Sequence, residues 1–370
     1  MAETLALHIR AQFGLWDKAA EHRLLTTVTG VAQPRDVIPF GFFRFTTSAS
    51  AQKAIACKYG SSLASVEAPA APLAVRARAD GRLRVVYLSG DFRVHPVSYL
   101  VAETFALHDA RRFEVVLASY GRDDGSEIRS RIAAAARFVD LYGLAQPAVH
   151  ERLRALDADI VVDLQGYTEG SLTKLLARRV APIQVNWLGY PGTLGADFID
   201  YLVADAVVVP AGAEAFYAEK IVRLPDCFQP NDRQRAVGTP LARAAYGLPD
   251  SGVVFCSFNQ VAKIRPEIFD VWLNLLTAVS GSVLWLKAGA EAAHNLRNLA
   301  AARGIDAQRL IIAPSLPSMA EHLARYRVAD IALDTYPYGS HTTASDALWA
   351  GCPLVALCGE TFASRVSASL

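Results

Sequence analysis

Short, continuous apolar runs recur along this chain, and polar loops or helical periods separate them. Six of them lie between residues 82 and 225 and read RLRVVYLSG, FEVVLASYG, ADIVVDLQG, PIQVNWLGY, YLVAD and KIVRLP. Five more lie between residues 253 and 358 and read VVFCSFN, SVLWLK, RLIIAP, DIALD and PLVALC. Strands that are apolar on both faces are typical of buried parallel sheets. The pattern predicts an α/β chain with two Rossmann-like, doubly wound domains, whose ligands lie in the cleft beyond the carboxyl ends of the strands.

Composition and spacing divide the chain into four regions. Residues 1–60 form a helical collar that begins with one amphipathic helix, because apolar side chains recur every three or four positions at Leu5, Ile9, Phe13 and Trp16. Residues 61–81, rich in Ala, Pro and Ser, predict a linker. Residues 82–235 and 236–370 hold the two strand arrays as an N-terminal and a C-terminal domain. The aromatic run at 40–45 predicts exposed apolar surface on the collar and makes a homodimer the assembly to look for.

The charge balance excludes some partners. The 37 basic and 36 acidic residues leave a net charge of +1, so no global field attracts nucleic acid or an anionic membrane. Apolar residues make up 52% of the chain, which is typical of a folded protein with a substantial core. The five cysteines are scattered without metal-ligand spacing, and the N-terminus has neither a signal peptide nor a membrane-spanning run. These features predict a cytoplasmic protein without a membrane or nucleic-acid partner.

Two common nucleotide motifs are absent from the sequence. Neither strand array begins with G-x-G-x-x-G, and no G-x-x-x-x-G-K-[ST] string occurs, which disfavours nicotinamide enzymes and P-loop nucleotidases. Asp157 and Asp159 form the one Asp-x-Asp string, which is either a divalent-ion site for a nucleotide diphosphate or an ordinary polar loop before a strand. The loop interpretation is favoured, and a metal-dependent enzyme stays open as an alternative.

A candidate anion site follows the strand DIALD. His341, Thr342 and Thr343 lie where a helix is predicted to begin, and a helix N-terminus carries free N–H groups and partial positive charge. Asp346 lies one turn into that helix, where a carboxylate can accept hydrogen bonds from a ribose diol. The alternative is that a threonine caps the helix and Asp346 complements its dipole.

Two further polar clusters follow the first strand of each array. Asn259, Gln260 and Lys263 follow VVFCSF, and Lys263 would neutralise charge that builds on a departing phosphate. His95 follows RLRVVYLSG in the string SGDFRVHP, where an imidazole can orient or deprotonate a hydroxyl. Taken singly, each residue is more often an ordinary solvated or loop side chain. Because all three clusters come at strand carboxyl ends, we expect them to face one cleft.

The strings around these clusters resemble the O-GlcNAc transferase and SPINDLY family, over residues 82–370. The matching strings, in the family's order, are SGDFRVHP, GYT, APIQVNWLGYPGT, FNQVAKI, GSHTT, WAGCP and GETFASRVSA. The collar resembles the segment that follows the tetratricopeptide repeats of that family. The resemblance implies an inverting, metal-independent glycosyltransferase of the two-Rossmann GT-B type, with a nucleotide sugar as co-substrate and no cofactor.

The resemblance also implies roles for individual residues. The donor would be UDP-GlcNAc and the acceptors Ser or Thr hydroxyls of proteins. Lys263 would stabilise the leaving group, and His95 would lie beside the donor sugar and the acceptor. The remaining donor contacts implied by the resemblance are Gln260 and Arg325 at the diphosphate, His322 at the base, His341, Thr342 and Thr343 at the phosphates, and Asp346 at the ribose. His322 and Arg325 rest on the resemblance alone.

The chain departs from the family pattern at several places. Gly90 replaces a serine, Met319 stands where many members have a lysine over the uracil, and Ala262 where some have an aromatic residue. The last two leave the nucleotide open, so GDP-fucose or UDP-glucose transferases of the same fold stay as alternatives. The repeats and the family's continuation after Leu370 are absent from the sequence, which predicts a truncated second domain and leaves a non-catalytic nucleotide-binding module as a further alternative.

Overall fold

The computed structural model describes residues 2–30, 39–64, 73–74 and 78–370. The described helices are α1 (Ala2–Gln12), α2 (Lys18–Gly30), α3 (Ala49–Ala64), α4 (Pro96–Val101), α5 (Glu127–Ala135), α6 (Gln146–Ala155), α7 (Pro266–Ala278), α8 (Ala290–Ala302), α9 (Met319–Arg325), α10 (Thr342–Trp349) and α11 (Phe362–Ser369). The strands are β1 (Leu83–Ser89), β2 (Phe113–Ser119), β3 (Arg137–Asp140), β4 (Ile160–Asp163), β5 (Ile183–Asn186), β6 (Tyr201–Ala204), β7 (Lys220–Arg223), β8 (Val254–Ser257), β9 (Val283–Leu286), β10 (Leu310–Ile312), β11 (Ile331–Leu333) and β12 (Leu354–Val355).

The strands form two parallel sheets. The first has the order β3-β2-β1-β4-β5-β6-β7 and the second the order β10-β9-β8-β11-β12. Every registered pair in both sheets is parallel, and strands β8 and β9 are buried along their whole length, as expected for sheets covered on both faces. The strand order reverses beside β1 in the first sheet and beside β8 in the second. Ligands of doubly wound sheets bind at these switch points.

The predicted strand pattern is confirmed, with one omission. All eleven apolar runs contain a strand, and β3 is the strand that the pattern missed. The β3 sequence RFVD has only two apolar residues between charged ends, so neither alternation nor a continuous apolar run marks it. The proposed domain limits at 235 and 236 stay predictions, and the two sheets lie on either side of them.

The collar differs from the prediction of a single long first helix. The chain turns between α1 and α2, because Gly14 has a φ of +67° and ends the first helix. Helix α3 runs to Ala64, into the stretch predicted as a linker, most of which lies outside the described residues.

The prediction of an exposed apolar collar surface at 40–45 is wrong. Phe42 and Phe43 are buried, and the Phe40 ring lies 5.7 Å from that of Tyr338 and 6.3 Å from that of Tyr190. The run therefore packs inward, between residues of both domains, because its aromatic side chains find apolar partners there. The prediction of a homodimer therefore loses the observation on which it was based.

Helix α11 connects the second array back to the first domain. The Phe362 ring lies 4.9 Å from that of Phe228, and Val366 is buried in the same apolar cluster as strand residues of the first sheet. Arg365 donates from Nη1 to the carbonyl oxygen of Val207 at 3.2 Å. The two domains thus share one stretch of core in addition to the collar.

Among the described residues, no helix is both long enough and apolar enough to cross a bilayer. All five cysteines are free thiols.

The close contact between α3 and the first domain predicts that replacing Gly60 by alanine destabilises the protein, although alanine favours a helix. A Cβ on Gly60 would lie 2.8 Å from the carbonyl oxygen of Gly195, closer than van der Waals contact allows. Gly60→Ala should therefore lower the free energy of unfolding by about 1–3 kcal/mol, although alanine favours a helix by about 1 kcal/mol over glycine. Urea denaturation measures this. Ser61→Ala, an exposed change in the same helix, is the control and should change little. A more stable Gly60→Ala protein would contradict this packing.

Candidate functional site

The two switch points carry the polar clusters that the sequence predicted. The loop after β1 leads through His95 into α4, and the loop after β8 leads through Lys263 into α7. Helix α4 packs against α10, the helix that begins at Thr342. The predicted base in the first domain and the predicted anion site in the second are therefore on neighbouring helices.

Lys263 lies largely buried beside the start of α10. Its Nζ donates to the carbonyl oxygen of Gly339 at 2.9 Å and lies 3.8 Å from the centre of the Tyr338 ring. Burial lowers the pKa of Lys263 to about 8, and the carboxylate of Asp334 opposes that shift. The site therefore holds a poorly solvated cation, which has hydrogen-bonding capacity left for an anion.

His341 lies next to this ammonium group. Its ring centre is 5.1 Å from that of Tyr338, and its Nε2 is 3.3 Å from the carbonyl oxygen of Ala363. Burial, with a contribution from the charge of Lys263, lowers the pKa of His341 well below its usual value. His341 is therefore neutral at pH 7, so with Nε2–H bonded to Ala363 it does not add a second charge to the site.

The start of α10 has no side-chain cap. His341 occupies the N-cap position, and neither its ring nor a threonine hydroxyl accepts a hydrogen bond from the first turn. The alternative in which Thr342 or Thr343 caps this helix is therefore wrong. Both hydroxyls are half-buried at a helix start with free N–H groups.

Asp334 holds the loop between β11 and α10, a role that the sequence analysis missed. Its Oδ1 accepts from the backbone N–H of Ser340 at 2.6 Å, and its Oδ2 accepts from the Ser367 hydroxyl at 2.5 Å. Asn259 donates to the Ser340 hydroxyl at 2.6 Å. These bonds tie the loop of Lys263, the loop of His341 and α11 together. The sequence did contain a signal for this role, since Asp334 is the aspartate that ends the apolar run DIALD.

A second cluster contains the predicted residues Asp346, His322 and Arg325. The Nε2 of His322 lies 3.5 Å from Oδ2 of Asp346, and its Nδ1 accepts from the Arg325 guanidinium. Arg325 also lies over the Phe258 ring at 4.0 Å and donates to the carbonyl oxygen of Pro314 at 3.0 Å. Burial is the main cause that lowers the pKa of both His322 and Arg325.

Arg235 completes this second cluster, and the sequence analysis missed it. Its guanidinium forms an ion pair with Asp346, and the two side chains are only 3% and 7% exposed. It also lies 5.8 Å from the Tyr99 ring centre and 3.7 Å from the Met319 sulfur. Arg235 stands in a polar stretch that reads as a domain connection, and its partner is 111 residues away. No local pattern marks such a pair.

His95 begins helix α4. Its Nδ1 accepts from the backbone N–H of Val97 at 3.3 Å and lies 3.5 Å from Oδ2 of Asp91. Burial lowers the pKa of His95, while Asp91 raises it and Arg93 lowers it further. A neutral imidazole at pH 7 can accept a proton from a hydroxyl, and Asp91 can stabilise the imidazolium that results. An open cavity of about 660 Å³ adjoins this loop and is lined in part by Asp91, Arg93 and Tyr120.

Two of the candidates from the sequence have contacts that do not indicate a ligand site. The Gln260 side chain is exposed, while its carbonyl oxygen accepts from the backbone N–H of Lys263 at 2.9 Å. Asp157 and Asp159 form ion pairs with Arg78 at 3.2 Å and 3.0 Å. This Asp-x-Asp pair has a basic side chain as its partner, as in an ordinary structural loop. Within the described parts of the chain, no group of three His, Cys, Asp or Glu side chains is arranged to hold a metal ion.

Comparisons with known proteins agree on one family. The model of glycosyl transferase family 41 matches residues 45–239 and 236–370. The chain is 38% identical over 297 residues to the probable UDP-N-acetylglucosamine–peptide N-acetylglucosaminyltransferase SEC of Arabidopsis thaliana, a match that covers 78% of this chain and 30% of that protein. It is 27% identical over an alignment of 403 residues to a UDP-N-acetylglucosamine–peptide N-acetylglucosaminyltransferase of Caenorhabditis elegans, covering 78% of this chain and 35% of the relative. The chain thus spans about a third of these relatives.

A solved structure agrees over nearly the whole chain. A variant of the Thermobaculum terrenum O-GlcNAc transferase superposes with a TM-score of 0.81 at 30% identity, and the match covers 95% of this chain and 69% of that one. The predicted fold class, two Rossmann-like domains of the GT-B type, is confirmed.

The pair of Arg235 and Asp346 predicts a measurable loss of stability. Removing one partner of a buried ion pair leaves the other charge in a poorly solvated place, so Arg235→Met should lower the free energy of unfolding by about 3 kcal/mol. Arg303→Met is the control, since that arginine and its partner Asp270 are 59% and 39% exposed, and it should cost less than about 1 kcal/mol. Urea denaturation measures both. Equal losses in the two variants would contradict a structural role for the buried pair.

Proposed function

This chain belongs to glycosyl transferase family 41, and on that premise we propose that it transfers N-acetylglucosamine from UDP-GlcNAc to Ser or Thr hydroxyls of proteins. The observation that carries the proposal is the buried ammonium of Lys263, which lies beside an uncapped helix start at the switch point of the second sheet. A cation and free N–H groups in one place suit a diphosphate. The names of the relatives, UDP-N-acetylglucosamine–peptide N-acetylglucosaminyltransferases, support the donor and the acceptor class.

The reaction we propose is a single displacement. The acceptor oxygen forms a bond to the anomeric carbon of the sugar as the bond from that carbon to the diphosphate oxygen breaks, and the diphosphate leaves with the electron pair. Negative charge then grows on the leaving group, and Lys263 stabilises it as a protonated cation. The low local solvation that lowers the pKa of Lys263 also strengthens this interaction. The rest of the decrease in the activation barrier comes from the positioning of the donor and the acceptor.

His95 is the proposed acceptor of the hydroxyl proton. For Nε2 to accept that proton, the neutral ring must carry its own proton on Nδ1, which then gives up the hydrogen bond from Val97 and faces Oδ2 of Asp91 at 3.5 Å. The packing of α4 against α10 supports an arrangement in which this imidazole and Lys263 act on the same sugar.

The other donor contacts follow the family pattern and stay proposals. We assign the phosphates to His341, Thr342 and Thr343, and the ribose and base to Asp346 and His322. Arg325 is already engaged by Phe258 and Pro314, so we infer that it acts mainly by fixing His322. The proposal assigns charge neutralisation to Lys263, so it needs no divalent cation. We also propose a cytoplasmic location and an association with repeats that select acceptor proteins.

The donor assignment is tested by calorimetric titration of the protein with UDP, GDP and their sugar conjugates, each with and without EDTA. UDP and UDP-GlcNAc should bind, GDP should bind at least about tenfold more weakly, and EDTA should leave the affinities unchanged. Preferential GDP binding would favour a fucosyltransferase, and donor binding that EDTA abolishes and manganese restores would refute the metal-free proposal. UDP binding without transfer to any acceptor protein would favour a nucleotide-binding module.

The role of Lys263 predicts a large rate effect with a defined pH dependence. Lys263→Ala should lower turnover on the order of 10²–10³-fold, the loss expected when one preorganised stabiliser is removed. In the parent protein kcat/KM should fall above about pH 8, where free Lys263 loses its proton. Lys263→Arg stays charged, so its kcat/KM should not fall above about pH 8, although its turnover should be slow. Radiolabelled transfer from UDP-GlcNAc measures all three.

The matched control is Lys220→Ala, an exposed lysine on β7, which should leave both the rate and the pH profile unchanged. A Lys263→Ala protein that melts normally and keeps most of its rate would remove Lys263 from the mechanism.

A further inference from the structure

The helical collar contacts the residues on both sides of Lys263. Helix α1 packs against the 3₁₀ turn Val261–Lys263. At its end, Gly14 fits so closely that a Cβ would lie 3.2 Å from the Leu296 side chain and 3.9 Å from that of Val261. Two residues later, the indole N–H of Trp16 donates to the carbonyl oxygen of Ile264 at 2.9 Å. The backbone that carries Lys263 is therefore fixed from outside its own domain.

Further contacts extend this junction to α7 and α8. The Trp16 ring lies 5.9 Å from that of Phe269, and Glu21 of α2 forms an ion pair with Arg265 in which both side chains are largely buried. Asn295 donates to the carbonyl oxygen of Phe13 at 2.9 Å. Hydrogen bonds and charge, in addition to apolar packing, thus set the register between the collar and the Lys263 loop.

The collar also contacts the Tyr338 ring, which lies against the Lys263 ammonium. Phe40 and Phe43 each lie 5.7 Å from the Tyr338 ring. The same Tyr338 ring lies 3.8 Å from the Lys263 Nζ, and the next residue, Gly339, accepts its hydrogen bond. The collar thus supports both the backbone from which the lysine extends and the ring against which it ends.

We propose that the collar is a positioning element for the donor site, with Trp16 and Phe40 as positioning residues that act through Lys263. The proposal rests on the function assigned to Lys263 above. A ligand or a protein segment that displaces the collar changes the location of the ammonium without touching the donor.

Local charge makes the Lys263 position sensitive to such a displacement. Asp334, Tyr338 and His341 face the ammonium from the second domain, and the Glu21–Arg265 pair lies on the collar side. A looser junction admits water, which solvates the ammonium better and moves the pKa of Lys263 up from about 8. The pKa of Lys263 therefore indicates how tightly the collar packs at this junction, whether or not a donor is bound.

The test uses two pairs of matched variants of the full chain. Trp16→Phe keeps an aromatic ring but loses the hydrogen bond to Ile264, and its control is Leu15→Ala, a change of an exposed neighbour. Phe40→Leu loosens the contact with Tyr338. Its control is Phe45→Leu, the same change at a half-buried ring that packs edge-to-face with Phe42 instead.

Two measurements are made on each protein. Competitive acetylation at a series of pH values, read by mass spectrometry, should give a Lys263 midpoint near pH 8 in the parent protein and in both controls, and a higher midpoint in Trp16→Phe and Phe40→Leu. Calorimetry should show UDP binding weakened about three- to tenfold in those two variants, the scale of one lost hydrogen bond, and uridine binding unchanged.

A double variant separates positioning from general damage. In a Lys263→Ala background, Trp16→Phe should weaken UDP binding no further, because residues that act through one another are not additive. Additive losses, equal losses for uridine, or an unshifted acetylation midpoint would overturn the proposal. If the parent protein binds no UDP, the donor assignment is wrong, and the acetylation midpoints still decide whether the collar positions Lys263.

Discussion

The architecture of the candidate site depends on a cation that is kept largely out of water. An ammonium group in a poorly solvated place is costly unless nearby groups compensate. Here a carbonyl oxygen, a tyrosine ring face and the field of Asp334 provide that compensation, and each comes from the loop between β11 and α10. Asp334 in turn closes this loop on Ser340 and ties it to Ser367 of α11. The hydrogen-bonded loop, the neutral His341 and the inward-facing aromatic collar all serve to hold one lysine in a state that favours an anionic partner.

Most of the fold could be predicted from the sequence, because buried parallel strands leave a local signature. Eleven runs of continuous apolar residues became strands, and the helices between them followed from the same alternation. The failures have a common origin in tertiary context. Strand β3 is short and charged at both ends, so only its pairing with β2 makes it a strand. The turn at Gly14 interrupts a helical period that the side chains alone would continue. The aromatic run at 40–45 looks exposed until the residues that cover it, Tyr190 and Tyr338, are folded around it.

The candidate site was predictable to the extent that topology controls it. Strand carboxyl ends meet at one edge of each sheet, so Lys263, His341 and His95 could be placed near a cleft before any coordinates were known. The partners that set their chemistry could not. Tyr338 is an aromatic residue in a loop, and only the fold brings its ring under Lys263. Arg235 meets Asp346 from a connection more than a hundred residues earlier in the chain. Electrostatic partnership of this kind is a property of the assembled domains, and no local spacing encodes it.

The return of α11 to the first domain constrains how the interdomain cleft opens. Phe362 and Val366 are fully enclosed by apolar side chains of the first sheet's cluster, and withdrawing side chains of this size into water costs about 1.5–3 kcal/mol each. The adjoining Ser367 is hydrogen-bonded to Asp334 of the second array. A movement that pulled the lobes apart along the line between them would have to break one of these two attachments. A rotation about α11 would keep both attachments, so we expect it to cost less free energy than a separation of the lobes.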